Sequence, residues 1–288
     1  MATNNSQPIQ LVTDSTSDIP LDVAESMGIN IIPLYVHFGN DSYKDNIDIS
    51  VDDFYEKLVS GKISPKTSQP TPADFAELYK TLIPQGPVLS LHVSNKLSGT
   101  MNSAILGREE VLSEFPDAQI EIVDTFLASV GLGLVSIETK KAIDEGADFR
   151  SATELAKSLS SRTRIIVGLE TLEYLVRGGR VGKAQGLVGS LLNLKPILQI
   201  IDGEVHPLEK VRTTRKSRAR LLEIAISNKG KVSIAGVAVT TDTELANDIS
   251  KTLKQDLNIS DIPTFRIGPV VGTHGGPGAI AIAFILDE

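Results

Sequence analysis

Hydroxyl side chains are concentrated in three short segments among the first hundred residues. The segments cover residues 14–18 (DSTSD), 67–70 (TSQP) and 94–100 (SNKLSGT). Each precedes a helix-like pattern, and the N-terminus of a helix offers unpaired N–H groups and a partial positive charge that suit an anion. Gly99 in the third segment would let the backbone approach such a ligand closely. The other interpretation is that these Ser and Thr residues only cap helices and form turns.

A glycine-rich segment near the C-terminus surrounds the histidine at position 274. Residues 268–279 (GPVVGTHGGPGA) contain five glycines and two prolines around His274. The segment matches neither of the phosphate-binding patterns GxxxxGK(S/T) and GxGxxG. It predicts a tight, irregular loop, and the number of glycines favours a ligand-binding role for His274 over a purely structural one.

Two segments are strongly basic, although the net charge of the chain is −8. Residues 175–183 carry Arg177 and Arg180 around a Gly-Gly pair, and residues 210–220 hold six cations, Arg212 among them, without an acidic residue. Such runs are often solvated helix faces. The other interpretation is a docking surface for an acidic partner or a phosphate-bearing ligand.

The elements that must position these residues alternate in the first half of the chain. Strands are predicted at 9–14, 30–38, 88–94 and 120–125. Helices are predicted at 20–28, 51–60, 72–83, 100–115 and in a stretch that ends near residue 146. This alternation implies a mostly parallel sheet covered by helices on both faces. Because ligands bind at the carboxyl ends of the strands in open α/β sheets, the three hydroxyl-rich segments are expected to meet there.

The second half of the chain predicts a sheet of mixed direction. Strands are predicted at 164–170, 195–201, 204–211, 231–239 and 279–286. Helices are predicted near 171–177, 184–193, 214–228 and 242–258. The pair Asp202-Gly203 is typical of a hairpin turn between antiparallel strands. The predicted fold is therefore two-lobed α/β, with a mostly parallel N-terminal lobe (9–163) packed against a mixed C-terminal lobe (164–288).

Composition excludes several classes of function. The absence of cysteine rules out disulfides and thiolate metal sites, and the four histidines lack close ligand spacing, so no metal is expected. The negative net charge disfavours nucleic-acid binding. The first ten residues do not resemble a signal peptide, and the longest apolar run, 279–286, is too short to span a membrane. A cytoplasmic location is the resulting expectation.

Six motifs together resemble the DegV family of bacterial fatty-acid-binding proteins. The matching stretches are VTDSTSD (12–18), KTSQPTP (66–72), HVSNKLSGT (92–100), LEYLVRGGRVG (172–182), KPIL (195–198) with HPLEKVR (206–212), and GPVVGTHGGPG (268–278). They span nearly the whole chain in the order typical of the family. One departure is Asn95, where a second serine is usual, and this makes position 95 a poor candidate for an essential contact.

The resemblance implies that one long-chain fatty acid lies between two α/β lobes, with no cofactor. It further implies that Thr67, Ser98 and His274 hold the carboxylate. Ser68, Gly99 and Thr100, from the same hydroxyl-rich segments, complete the predicted ligand-binding residues. The implied role is to present the acid to a separate fatty-acid kinase, which phosphorylates the carboxylate for phospholipid synthesis. Arg177, Arg180 and Arg212 are then predicted to face that kinase at the mouth of the site, outside the tunnel for the tail.

Two enzymatic functions compete with a carrier role. In a serine hydrolase, Ser98 would be the nucleophile, His274 the base, and Asp14 or Asp124 the third member of the triad. Ser98 lies in LSGT and not in a GxSxG elbow, which argues against this. A kinase or phosphotransfer module is the other possibility, but the chain has neither a Walker motif nor a recognisable pair of metal-binding carboxylates.

Overall fold

A computed structural model of the chain describes residues 7–61, 63–190 and 194–287. These residues form thirteen strands and ten α-helices. The strands are β1 (Gln10–Asp14), β2 (Ile29–Ile32), β3 (Tyr35–Phe38), β4 (Asp41–Lys44), β5 (Lys66–Ser68), β6 (Val88–His92), β7 (Ile120–Asp124), β8 (Thr163–Gly168), β9 (Lys195–Ile201), β10 (Glu204–Val211), β11 (Val232–Val239), β12 (Thr264–Arg266) and β13 (Ile280–Leu286).

The helices lie mainly between consecutive strands of the two large sheets. They are α1 (Leu21–Met27), α2 (Val51–Ser60), α3 (Pro72–Leu82), α4 (Thr100–Glu114), α5 (Val130–Asp144), α6 (Phe149–Arg162), α7 (Glu173–Arg177), α8 (Thr214–Ile226), α9 (Thr243–Leu257) and α10 (Pro269–Gly275). Two 3₁₀ helices cover Ser15–Ser17 and Gly182–Ser190. Helix α3 begins with a capping box, in which the side chains of Thr71 and Asp74 accept hydrogen bonds from each other's backbone N–H groups.

The strands are arranged in three sheets. The first is parallel throughout, with the order β2-β1-β6-β7. The second has the order β10-β9-β8-β13-β11-β12, and within it only β11 and β12 run parallel. The third is a small antiparallel sheet with the order β4-β3-β5. The predicted α/β class, with a mostly parallel first half and a mixed second half, is therefore confirmed.

Helix α5 lies between the two large sheets. It packs against β1 and β6 of the parallel sheet and against β8, β11 and β13 of the mixed sheet. Its residues are buried almost continuously from Val130 to Thr139, as expected for a helix that is enclosed on all sides. A Cβ atom at Gly131 would lie 2.4 Å from Cδ1 of Ile165, so any larger residue would displace the Ile165 side chain where the helix meets β8. The two large sheets therefore share one core.

Several predicted elements differ from the observed ones. The strand predicted at 30–38 is divided into β2 and β3, because Pro33 lacks an N–H group and the chain leaves the parallel sheet there. Helix α6, which begins at an Asp148 cap, was not predicted. The helix predicted at 184–193 is a 3₁₀ helix over Gly182–Ser190, and residues 191–193 lie outside the described residues.

The glycine-rich segment was expected to be an irregular loop, and this prediction was wrong. Residues Pro269–Gly275 form α10, with Pro269 in the first turn, where a missing N–H group costs nothing. The hairpin predicted at Asp202-Gly203 is confirmed, because β9 and β10 pair in antiparallel fashion on either side of it. The division into lobes at residue 163 stays a prediction, although it falls where α6 ends and β8 begins.

Candidate ligand-binding site

A cavity lies between the turns that follow β1 and β6 and one face of the mixed sheet. The volume of the cavity, measured as the space open to the centre of a water molecule, is about 150 Å³. This is roughly ten times the volume that one buried water needs. Alternate residues of β8 share this face, and the neighbouring strands continue it. The apolar wall there includes Ile165 and Val167 of β8, Leu169 directly after it, Leu198 and Ile200 of β9, and Ala281 of β13. A surface of this composition suits a hydrocarbon chain.

One part of the cavity wall is polar, and there Thr67 meets His274. The Oγ1 atom of Thr67 and the Nε2 atom of His274 share a hydrogen bond of 3.0 Å. Thr67 pairs with Val36 across β3 and β5, and Val36 is fully buried, so both side chains lie on the inner face of this small sheet. His274 comes from the last turn of α10. The small sheet and α10 therefore bring the two residues to one place.

The ring of His274 is tightly packed and lies near a positive charge. A Cβ atom at Gly178 would lie 2.0 Å from the Nδ1 atom of His274, so the ring requires glycine at this position. Nδ1 is buried and has no hydrogen-bond partner among the described residues. Burial and the nearby positive charge of Arg180 lower the pKa of His274 to about 4. The ring is therefore neutral at pH 7, with one nitrogen able to donate and the other able to accept.

Ser98 lines the same cavity from the turn before α4. Its Oγ atom lies 2.8 Å from Oγ1 of Thr100 and accepts a hydrogen bond of 3.3 Å from the backbone N–H of Thr100. Gly99 makes room for a neighbour, because a Cβ atom there would lie 2.9 Å from Nε2 of Gln69. Gln69 itself lines the cavity. The close approach predicted at Gly99 therefore exists, but within the described chain it is made to Gln69.

The six predicted ligand-binding residues are not equivalent in the structure. Thr67, Ser68, Ser98 and His274 line the cavity, whereas Gly99 and Thr100 do not. Thr100 is fully buried, so its hydroxyl supports Ser98.

Ser68 borders the cavity, but its hydroxyl is engaged elsewhere. The Oγ atom of Ser68 hydrogen-bonds Nε2 of His37 at 2.8 Å. The alternation along β5 directs it to the face opposite Thr67.

The three predicted docking arginines also differ from one another. Arg177 is exposed, donates to Oγ of Ser64 at 3.1 Å and pairs with Glu173. Arg212 is exposed between β10 and α8. Arg180 differs from the expectation that all three lie outside the tunnel, because it forms part of the cavity wall. An unpaired charge would be costly in such a wall, but two backbone carbonyls accept hydrogen bonds from the guanidinium group of Arg180.

The residues proposed for a hydrolase triad have other partners. The side chain of Ser98 is hydrogen-bonded to that of Thr100, and the side chain of His274 is hydrogen-bonded to that of Thr67. Asp124 accepts hydrogen bonds from the backbone N–H groups of Asn95 and Phe126. The hydrolase interpretation is therefore not supported.

Asp14 belongs to a buried network that sequence reasoning did not identify. Tyr79 donates to Ser90 at 2.9 Å, Ser90 Oγ lies 2.7 Å from Nε2 of His92, and Nδ1 of His92 lies 3.0 Å from Oδ2 of Asp14. Asp14 also accepts from the hydroxyl of Thr16, which lines the cavity. Ser90 and His92 are fully buried and do not line the cavity, so this serine, histidine and aspartate cannot meet a substrate there. The network instead connects the ends of β1 and β6.

Two buried carboxyl groups hold the start of α10. Oδ1 of Asp18 accepts a hydrogen bond of 2.8 Å from the backbone N–H of Gly268, and Oδ1 of Asp45 accepts one of 3.2 Å from that of Val270. Burial, with a smaller contribution from nearby carboxyl groups, raises the pKa of Asp18 to about 8 and that of Asp45 to about 7. The helix that carries His274 is therefore anchored by Asp18 to the turn after β1 and by Asp45 to the end of β4.

The described part of the chain shows no group of three or more His, Cys, Asp or Glu side chains that could hold a metal ion. Across the same residues, no helix is long and apolar enough to cross a membrane.

Comparisons with known proteins agree over nearly the full length of the chain. The family model described as "Uncharacterised protein, DegV family" matches residues 8–287. A DegV domain-containing protein of Caldanaerobacter subterraneus is 33% identical over 283 residues, which cover 96% of this chain and 99% of that protein.

Solved structures of similar fold include proteins described as binding fatty acids. A DegV family protein of Thermus thermophilus, described by its fatty-acid binding, is 34% identical with a TM-score of 0.89, covering 97% of this chain and 99% of that one. A stearic acid-binding protein of Eubacterium ventriosum is 28% identical with a TM-score of 0.90, covering 96% and 98%. DegV of Bacillus subtilis, described as a fatty acid binding protein, is 30% identical with a TM-score of 0.88, covering 98% and 100%.

Proposed function

This chain belongs to the DegV family, and from that membership and its cavity we propose that it binds one long-chain fatty acid. In this proposal the hydrocarbon tail occupies the apolar cavity, and the carboxylate lies beside Thr67, Ser98 and His274. The observation that carries the proposal is the hydrogen bond between Thr67 and His274 at the polar part of an otherwise apolar cavity. Two hydroxyl groups and a neutral imidazole are donors of the kind that a carboxylate accepts from.

The tail supplies most of the binding free energy in this proposal. Burial of about 14 methylene groups at roughly 0.8 kcal/mol each contributes about 11 kcal/mol before the cost of association. Each hydrogen bond to the charged carboxylate contributes about 1.5–3 kcal/mol. The apolar wall therefore determines affinity, and the polar residues determine which end of the molecule faces outward.

The finer part of the proposal is that the bound acid is presented, in the cytoplasm, to a separate fatty-acid kinase for phospholipid synthesis. Phosphorylation of a carboxylate brings a polyphosphate donor close to another anion. Arg177 and Arg212 are exposed, and their guanidinium groups would offset this repulsion and bind phosphate through two parallel hydrogen bonds. Arg177 would exchange its present partners, Glu173 and Ser64, for phosphate oxygens. In this proposal both residues lie at the rim of the interface with the kinase, where charges act mainly on association, so their effect should weaken as salt rises.

One experiment with two readouts on the same sample tests both parts. Native mass spectrometry of protein purified from a bacterial host should show one bound long-chain acid. A purified fatty-acid kinase and ATP should then convert this acid to an acyl phosphate. Arg177→Glu and Arg212→Glu should leave occupancy unchanged and slow conversion several-fold. Lys251→Glu, an exposed site on α9, is the matched control and should have no effect.

The two parts fail in different ways. A protein that carries no acyl species and takes up no added acid would refute the binding function. A loaded protein whose acid is not phosphorylated, or is phosphorylated equally well in the arginine variants, would refute only the kinase step or the docking residues.

A further inference from the structure

Two neighbouring hydroxyl groups line the cavity outside the predicted carboxylate site. Thr16 lies in the hydroxyl-rich segment after β1, and Ser129 directly precedes α5. Both residues are buried. The backbone N–H of Ser129 donates to the carbonyl oxygen of Thr16 at 2.7 Å, so the two are in direct contact. They form a polar pair in a cavity whose other walls suit a hydrocarbon chain.

This pair lies at the opposite end of α10 from His274. The side chain of Ser129 is hydrogen-bonded to Oδ2 of Asp18, and Oδ1 of Asp18 accepts a hydrogen bond from the backbone N–H of Gly268, directly before the helix. At 1.5 Å per residue, the rise from Gly268 to His274 is about 9 Å. A fatty acid whose carboxylate lies beside His274 would therefore meet the pair near the middle of its tail.

The hydroxyl group of Ser129 is not explained by its place at the start of α5. A serine in this position usually accepts a hydrogen bond from a backbone N–H of the first turn, but within the described chain the side chain of Ser129 makes no such bond. Its φ angle of 53° lies in the region that favours glycine. Glycine would fit this backbone with less strain, so the presence of serine indicates a use for the side chain.

Thr16 offers an acceptor to a ligand. Its hydroxyl hydrogen is donated to Oδ1 of Asp14, and a hydroxyl oxygen that donates can still accept. Asp14 is itself held by Nδ1 of His92 and by the backbone N–H of Val93, each at 3.0 Å. The buried network at the ends of β1 and β6 therefore fixes the orientation of the Thr16 hydroxyl.

Ser129 offers the complementary donor. Burial raises the pKa of Asp18 to about 8, so its carboxyl group is mostly protonated at pH 7. Because Oδ1 accepts from Gly268, the proton belongs on Oδ2, the oxygen bonded to Ser129. A protonated carboxyl group can donate in that hydrogen bond, which leaves the hydroxyl hydrogen of Ser129 for a ligand.

We propose that Thr16 and Ser129 form a second polar subsite that recognises a hydroxyl group in the middle of an acyl chain. A hydroxyl group both donates and accepts, so it matches this pair, whereas a methylene group does neither. A hydroxyl group buried without a partner is costly, and the pair removes this cost at one position of the chain. The inference rests on the proposed fatty-acid binding and adds mid-chain hydroxy fatty acids to the acids that the cavity accepts.

The first test uses the wild type and two ligands that differ only in the position of the hydroxyl group. Isothermal titration of delipidated protein compares stearate with 9-hydroxystearate and 17-hydroxystearate. The 9-hydroxy acid should bind within about threefold of stearate, because its hydroxyl group reaches the pair. The 17-hydroxy acid should bind at least about tenfold more weakly than stearate, because its hydroxyl group is buried against an apolar wall.

The second test removes the subsite. Thr16→Val keeps the shape of the side chain, and the backbone N–H of residue 16 still bonds Asp14. It should weaken binding of 9-hydroxystearate roughly 3- to 10-fold and change stearate binding less than twofold. Ser129→Gly suits the backbone and should act in the same direction. Thr13→Val is the matched control and should change neither affinity, because the buried Thr13 hydroxyl lies outside the cavity wall and has no hydrogen-bond partner among the described residues.

The outcomes separate this inference from the binding function. Two hydroxy acids that bind the wild type equally weakly would overturn the subsite, and this comparison does not depend on how the variants fold. A Thr16→Val protein that weakens stearate and 9-hydroxystearate equally, or neither of them, would also overturn it. A wild type that binds none of the three acids would refute the fatty-acid proposal itself.

Discussion

At the scale of single residues, the charge state of His274 determines what the polar part of the cavity can do. A neutral ring offers one donor and one acceptor, so it can hold a carboxylate oxygen without itself being a counter-ion. In the proposed complex, the remaining hydrogen bonds to the carboxylate come from Thr67 and Ser98. The neutral ring also has a consequence for stability, since its pKa in the folded protein, about 4, lies below the usual value of 6.5.

The first stability prediction follows from this difference. Between pH 6.5 and about 4 the unfolded chain takes up a proton at His274 that the folded protein does not, so this residue makes the free energy of unfolding fall as pH decreases. The full effect is about 3 kcal/mol. His274→Gln removes this pH-dependent contribution. As the pH falls from 7 to 4, the free energy of unfolding of the variant should therefore rise relative to that of the wild type. Urea titrations at several pH values measure this, and a difference independent of pH would contradict the neutral ring.

The residue types in the sequence indicated an anion site, but the sequence did not show which residues would contact one another. The hydroxyl-rich turns and the glycines around His274 indicated an anion site, yet Thr67 and His274 are 207 positions apart and meet only through tertiary packing. The family resemblance selected Thr67, Ser98 and His274 together. Residue type alone added Ser68 and Thr100, whose hydroxyls bond His37 and Ser98 instead.

At the scale of elements, α10 connects the ligand site to the rest of the fold. Its glycines disfavour a helix in isolation, which is why the sequence predicted a loop. Tertiary contacts reverse this preference, because a Cβ atom at Gly272 would lie 2.3 Å from Oη of Tyr55. The carboxyl groups of Asp18 and Asp45 bind the first N–H groups of the helix. Such contacts between distant segments are not visible in local sequence patterns.

Anchoring by buried carboxyl groups predicts a second, opposite dependence on pH. The pKa of Asp18 rises from 3.8 to about 8 on folding, so between these values the folded protein keeps a proton that the unfolded chain has lost. Asp18 therefore makes the free energy of unfolding fall as pH increases, by about 1.4 kcal/mol per pH unit. Asp18→Asn keeps an acceptor for the N–H of Gly268 without the ionisation, so its stability relative to wild type should increase from pH 5 to pH 8. Thermal melts over this range test it, and a constant difference would show that Asp18 is ionised in the folded protein.

At the scale of the whole molecule, the alternation of strands and helices was enough to predict the α/β class and the two large sheets. The antiparallel sheet of β3, β4 and β5 was not predicted, because its strands are only three or four residues long and β4 is mostly exposed. This small sheet nevertheless supplies Thr67. The cavity that it helps to close lies between segments from both halves of the chain, and its apolar wall is the basis for proposing a fatty acid as the ligand.

The central claim is that the cavity holds an acyl chain, and the dependence of affinity on chain length tests it most directly. Isothermal titration of delipidated protein with saturated acids of 10 to about 16 carbons gives this dependence. If the tail is buried in the cavity, each added methylene should tighten binding about fourfold, the equivalent of roughly 0.8 kcal/mol, until the cavity is full. An affinity that does not change with chain length would place the tail outside the cavity and contradict the account.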